Sequence, residues 1–106
     1  MILCTTPDVP GSRIVRCFGL VRGNTIRSRA LGRDVMAVMR SIAGGEVHEY
    51  TKMMAEAREQ AIDRMIEDAE ALGANAVIGM RFQTAYVMSG AAEILCYGTA
   101  VIVEQD

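Results

Sequence analysis

The chain has 106 residues, 51% hydrophobic and 23% charged, which fits one domain over residues 1–106 and excludes a disordered chain. No apolar run approaches the roughly 18 residues of a membrane span. The start of the sequence lacks the basic and apolar regions of a signal peptide. The three cysteines include no CxxC pair, so they indicate neither a disulfide framework nor a zinc knuckle. The unpaired cysteines and the lack of a membrane span predict a cytoplasmic protein without a membrane partner.

The first half of the chain predicts two strands and a short helix. A short apolar run at residues 2–5, followed by a loop with two prolines and a glycine, is typical of a brief strand. Imperfect alternation over residues 14–23 predicts a longer strand that is apolar on both faces. Helical spacing over residues 30–43, followed by Gly44 and Gly45, predicts a short amphipathic helix.

The second half predicts a long helix and a hairpin. One apolar stripe recurs at three- and four-residue steps over residues 47–72, and Gly73 ends this helix. Residues 76–88 and 94–103 read as strands, and Ser89 and Gly90 between them indicate an antiparallel turn.

These elements predict an α+β fold, with a small antiparallel sheet covered on one face by one long and one short helix. Because the strands are apolar on both faces, the second face of the sheet is left over. Large exposed apolar patches are rare on monomers, so burial against other copies of the same chain is the economical explanation. We therefore expect a homo-oligomer.

Charge is distributed unevenly along the chain. Seven arginines against two aspartates give the segment through Gly45 a net charge of +5, whereas eleven acidic against four basic residues give −7 from Glu46 onward. This asymmetry indicates either a basic surface for an anionic partner or two complementary surfaces that meet within or between chains. The basic segment lacks a series of interleaved aromatic residues, so we favour complementary surfaces over nucleic acid.

Three segments, in order, resemble the YbjQ-like family of small bacterial and archaeal proteins. They are GGEVHEYT at residues 44–51, LGANAV at 72–77 and YGTAV at 97–101. The resemblance implies an uncharacterised heavy-metal-binding domain. It also implies a subunit of dodecin-like topology that assembles into a ring-shaped pentamer.

The start of the long helix is the first candidate site. Glu46 and Glu49 lie where the unpaired N–H groups of a first turn favour negative charge, so helix capping is the simplest interpretation. Because the resemblance concentrates here, the alternative is a polar ligand pocket at a subunit interface. We expect its residues to be Glu46, Glu49, Tyr50, Thr51, Arg58 and Arg81.

A metal site has weaker support in the residues themselves. Cys17 and Cys96 lie among apolar neighbours, where a free cysteine behaves as a small hydrophobic residue. No second His or Cys follows His48 at three or four residues. If a divalent or heavy-metal ion binds, we expect donors from neighbouring copies, namely Cys4, His48, Glu46 and Glu49.

Two arginines interrupt apolar patterns. Arg58 falls close to the buried stripe of the long helix, and alternation predicts that Arg81 shares a strand face with Val77. A partly buried guanidinium needs a partner, so we expect both to form structural ion pairs whose loss destabilises the fold or the assembly.

Three functions remain open. The first is a homo-oligomeric binding module for a metal ion or small ligand at subunit interfaces, and the second is a structural scaffold without a ligand. The third is an enzyme with an interfacial site that uses Glu46, Tyr50 and Arg81. Because no nucleophile–base pair or phosphate-binding loop is present, we favour a protein without catalytic activity.

Overall fold

One helix and four strands form the part of the chain that the structure, a computed structural model, describes: residues 1–28, 48–88 and 91–106. The elements in chain order are β1 (Ile2–Leu3), β2 (Ser12–Ser28), α1 (His48–Leu72), β3 (Ala76–Met88) and β4 (Ala91–Gln105). These five predicted elements are confirmed, although β2 and β4 are longer than predicted. The short helix predicted at residues 30–43 and the turn at residues 89–90 lie outside the described residues.

The strands form one sheet in the order β1-β3-β4-β2. Both β2 and β3 pair antiparallel with the central strand β4, which confirms the predicted hairpin. β1 pairs parallel with β3, with Ile2 beside Ala76. The sheet is therefore mixed, and the prediction of a wholly antiparallel sheet was wrong, because a short apolar run predicts a strand but not the direction of its partner.

Helix α1 covers one face of the sheet, over β2 and β4, and barely reaches β3. Its stripe of small and flexible side chains is fully buried: Ala57, Ala61, Met65 and Ala69. A Cβ atom at Gly23 would clash with the carbonyl oxygen of Ala61. The bare glycine therefore lets helix and strand approach closely, which buries the stripe against Val21, Ile94 and Cys96.

The opposite face, called here the outer face, is covered at one end by the described residues. There the N-terminal segment places Val9 against a second apolar cluster, formed with Ala76, Ile78, Val101 and Val103. Farther along the same face, Leu20 and Ile26 are 65% and 56% exposed. The sheet is thus apolar on both faces, as predicted, and part of the outer face is uncovered by the described residues.

A β-bulge in β3 changes which face its later residues occupy. Ile78 lies opposite Thr99, but the next aligned pair is Arg81 with Tyr97, so two residues of β3 oppose one of β4. Gly79 has a φ of 61°, in the left-handed region that glycine adopts readily. Arg81 therefore lies on the outer face, and its predicted position on the same face as Val77 was wrong.

The described fold is elongated. It measures 56 × 24 × 17 Å and has a radius of gyration of 17.3 Å, whereas a compact domain of this length has a radius of gyration of about 13 Å.

Within the described ranges, no helix is both long enough and apolar enough to cross a bilayer.

Candidate functional site

The predicted residues at the helix start occupy the first turn of α1. His48, Glu49, Tyr50 and Thr51 begin the helix, which confirms the predicted helix start to within one residue. Glu46 lies outside the described residues. The proposed capping and ligand contacts of this group remain predictions.

An open groove of about 460 Å³ begins directly after this turn, between α1 and the end of β2. Its lining residues are Arg27, Lys52, Ala55, Glu56, Glu59, Gln60 and Asp63. Nη2 of Arg27 donates a hydrogen bond to Oε1 of Gln60 at 3.1 Å, which joins strand to helix across the groove. We call this feature the Arg27–Lys52 groove.

The charges of the groove suit a polar ligand. Two cationic side chains from two elements face three carboxylates from successive turns of α1. Such a surface offers hydrogen-bond donors and acceptors of both signs, so it can hold a small ligand that carries both charges, or a charged segment of another chain. It is open to solvent, and a neighbouring surface would be needed to exclude water from it.

Sequence reasoning missed Arg27 and Lys52. The predicted strand ended at residue 23, five residues before the observed end of β2 at Ser28, so the alternation was not followed to Arg27. Arg27 lies opposite the buried Ala92 of β4. It is therefore on the face of the sheet that the helix covers. A strand extended by the same alternation would have predicted this position.

Arg58 does not have the predicted environment. It is exposed on α1, and the ion pair found within the described residues joins Arg13 to Glu104 at 3.1 Å. The prediction that Arg58 is partly buried was therefore wrong for the single chain. The helical stripe is narrow because it consists of alanines and one methionine at close spacing, which leaves Arg58 outside the contact with the sheet.

Arg81 is held by carbonyl groups and not by a carboxylate. Its Nη1 donates to the carbonyl oxygens of Thr5 and Met80, both at 2.8 Å. The guanidinium thus ties the N-terminal segment to the bulge of β3, while the residue remains exposed. The predicted ion pair of Arg81 is therefore wrong for the described part of the single chain, where its partners are neutral carbonyl groups.

One chain does not bring these arginines together. Arg81 lies opposite Tyr97 on the outer face, whereas Arg58 belongs to the helix that covers the other face. A pocket that includes both would require residues from two copies.

The proposed metal donors are also separated. Cys4 is half-buried against the outer-face cluster that contains Ala76, near the end of α1. His48 begins the same helix, whose 25 residues extend about 37 Å. Since ligand bonds to a metal are about 2 Å long, Cys4 and His48 of one chain cannot bind one ion.

The described part of the chain contains no group of three or more Cys, His, Asp or Glu side chains that could hold a metal ion. Cys96 is buried in the core, as predicted, with Sγ 3.6 Å from Sδ of Met65. Burial raises the pKa of the Cys96 thiol, so it stays protonated and is a poor metal ligand. Cys17 is exposed, so its predicted place in the core was wrong.

Sequence comparison relates the whole chain to proteins without an established function. A YbjQ family model with the description "Putative heavy-metal-binding" matches residues 1–104. A UPF0145 protein of Methanosarcina acetivorans is 55% identical over 101 residues, which cover 95% of each chain. A UPF0145 protein of Pyrococcus furiosus is 54% identical over 106 residues, which cover 100% of this chain and 93% of that protein.

A solved structure shares the fold. It is the crystal structure of a Pediococcus pentosaceus protein of unknown function from the DUF74 family, with a TM-score of 0.69 and 98% coverage of both chains. The sequence identity is 17%, so this likeness concerns the fold alone.

Proposed function

Because the chain belongs to the YbjQ-like family of UPF0145 proteins, we propose that it is a homo-oligomeric binding module. Its ligand is a divalent or heavy-metal ion or a small polar molecule, bound where copies meet. The observation that carries this proposal is the separation of the candidate residues within one chain. Arg58 and Arg81 lie on opposite faces, and Cys4 and His48 lie near opposite ends of α1.

The Arg27–Lys52 groove supports a site at the start of α1. It adjoins the first turn that contains Glu49, Tyr50 and Thr51, and it supplies charges of both signs. In this proposal a second copy covers the groove, which lowers the local dielectric and strengthens each polar contact with the ligand.

The ring of five copies and the cytoplasmic location belong to the same proposal. The exposed Leu20 and Ile26 of the outer face support assembly, since burying each would stabilise a complex by roughly 1 to 2 kcal/mol. The ring itself and the number five are implied by the family resemblance. The three cysteines without a paired motif support a reducing compartment.

The described residues of one chain do not fit a heavy-metal ion, because their potential donors do not converge. A metal is therefore proposed only between copies, with Cys4 and His48 from different chains and Glu46 or Glu49 as further donors. This arrangement predicts that metal binding and assembly are linked.

Isothermal titration of chelator-treated protein with zinc, copper and nickel tests the proposal. We expect binding by the assembled protein, with stoichiometry that falls when His48→Ala and Cys4→Ser are combined. Cys17→Ser is the matched control, because this exposed cysteine is not among the proposed donors.

Binding unchanged in the double variant would eliminate these donors. If no metal binds, native mass spectrometry of freshly purified protein shows whether a small molecule is retained. An assembly without either ligand would favour the scaffold function.

A further inference from the structure

Two arginines and a tyrosine form one row across three strands of the outer face. Arg22 of β2 and Arg81 of β3 both lie opposite Tyr97 of β4, one on each side. Val21, next to Arg22, is buried beneath the helix, so Arg22 lies on the outer face. Neighbouring strands are about 4.8 Å apart, so the two arginine Cα atoms are roughly 10 Å apart. Two exposed cationic side chains thus flank one half-buried aromatic ring.

The positive charge of this row is not neutralised by a carboxylate of the described residues. Asp68 accepts a hydrogen bond from the backbone N–H of Arg22 at 3.3 Å, but within residues 1–28, 48–88 and 91–106 its carboxylate forms no ion pair with the guanidinium. The first acid along β4 on the same face is Glu93, about 13 Å from Tyr97 along the strand. That distance exceeds the screening length of about 8 Å at physiological salt. Both guanidinium charges are therefore available to an anion.

The guanidinium of Arg81 is held in place before any ligand arrives. Its Nη1 donates to the carbonyl oxygens of Thr5 and Met80, both at 2.8 Å. These bonds leave the three N–H donors of Nε and Nη2, which can bind two oxygens of one anion side by side. Because the side chain is already ordered, binding costs less conformational entropy.

The donors of the row suit a phosphate group better than a carboxylate. A carboxylate has two oxygens, whereas a phosphate monoester has three strong acceptor oxygens and a charge of about −1.5 to −2 at neutral pH. A phosphate can therefore accept from both guanidinium groups and from the hydroxyl of Tyr97, with an oxygen for each. Guanidinium groups also bind phosphate through paired, charge-assisted hydrogen bonds.

We infer that Arg22, Tyr97 and Arg81 form a binding site for a phosphate group on the outer face of the sheet. Arg81 supplies a fixed pair of donors from β3, and Arg22 supplies a second guanidinium from β2. Tyr97 forms the floor between them and donates its hydroxyl. The ligand is a phosphate, either free or carried on a small monoester.

This inference goes beyond the proposed function, because all three side chains belong to one chain. The site needs neither a metal ion nor a second copy. If another copy covers the outer face, the bound phosphate lies within that contact and neutralises the two arginines there. Phosphate affinity and molar mass are separate measurements, so the site and the assembly can fail independently.

β2 supplies a matched pair of test substitutions. Arg22→Ala removes an exposed side chain and keeps the backbone hydrogen bond to Asp68, so the fold should remain intact. Arg16→Ala is the control, since Arg16 is a second exposed arginine of the same strand. Its guanidinium lies over the ring of Phe18, 4.6 Å from the centroid, and takes no part in the proposed site.

Nuclear magnetic resonance titration of chelator-treated protein with inorganic phosphate, at constant ionic strength, measures the dissociation constant. We expect saturable shifts at the three site residues and a dissociation constant about ten-fold higher in Arg22→Ala, as for loss of a hydrogen bond to a charged group. Arg16→Ala should remain within about two-fold. Equal weakening in both variants, or shifts that do not saturate, would show general attraction of anions and would overturn the site.

Two further measurements refine the ligand and its contacts. Arg81→Lys retains the charge but not the paired donors, so phosphate should bind about ten-fold more weakly; unchanged affinity would contradict the assigned role of Arg81. Titration with AMP distinguishes the two sources of phosphate. Tighter binding of AMP than of inorganic phosphate assigns a monoester, the reverse order assigns the free ion, and binding of neither would overturn the inference.

Discussion

β2 and β3 flank the same central strand, yet within the described part of the chain helix α1 packs mainly on β2 and β4 and barely reaches β3. Helix α1 packs on β2 through Gly23 and Thr25, whose hydroxyl donates to the carbonyl oxygen of Ala57 at 3.1 Å. Residues 81–86 of β3 pair with β4 but are exposed throughout. The comparison shows that the helix buries the β2 side of the sheet, while residues 81–86 of β3 are left exposed by the described part of the chain.

The largest expected loss of stability follows truncation beneath the helix. Met65 is fully buried between α1 and the sheet, so Met65→Ala should lower the free energy of unfolding by about 2 to 5 kcal/mol. Urea denaturation measures this value. Glu67→Ala, an exposed change on the same helix, is the control and should remain within about 0.5 kcal/mol.

A smaller loss is expected where strand and helix approach each other. Gly23→Ala introduces a Cβ against the backbone of Ala61 and Met65, and overpacking of this kind costs about 1 to 3 kcal/mol. Thermal unfolding measures it, with the exposed change Glu67→Ala as the control. If Gly23→Ala melts with the parent, the close contact between β2 and α1 does not carry the stability assigned to it.

Removal of an exposed arginine should lower the free energy of unfolding by less than Met65→Ala or Gly23→Ala. Loss of the Arg81 hydrogen bonds to Thr5 and Met80 should cost about 1 kcal/mol, well below the loss expected from sequence for a buried ion pair. Arg58→Ala should remain within about 0.5 kcal/mol. Chemical denaturation of unassembled protein checks both values, and a large effect of Arg58→Ala there would contradict its exposure.

The smallest expected effect on stability is the pH dependence that the buried Cys96 of β4 contributes. Burial raises the pKa of Cys96 above its ordinary value of 9.0, so the folded state keeps a proton that the unfolded state loses. Its contribution to stability is therefore constant below about pH 9 and declines as the pH rises further. Cys96→Ala should remove this decline.

Alkylation distinguishes the same two thiols without a stability measurement. At neutral pH, iodoacetamide should modify the exposed Cys17 quickly and Cys96 only after unfolding. Peptide mass spectrometry reads both sites. Rapid modification of Cys96 would place it outside the core.

The correctly predicted features are those that depend on residues close together in the sequence. The periodic stripe located α1 to within one residue of His48, and the flanking turn signals located β3 at Ala76–Met88. The direction of β1 and the bulge at Gly79 depend on strands distant in the sequence, so alternation alone assigned Arg81 to the wrong face. Arg27 was missed because β2 continues past Gly23 along its partner β4.

The molar mass in solution tests most directly the proposal that other copies of the chain cover the exposed outer face of the sheet. Light scattering coupled to size exclusion at micromolar concentration should give a multiple of the 11.5 kDa chain mass. A parent protein that elutes at 11.5 kDa over the whole concentration range would contradict the account.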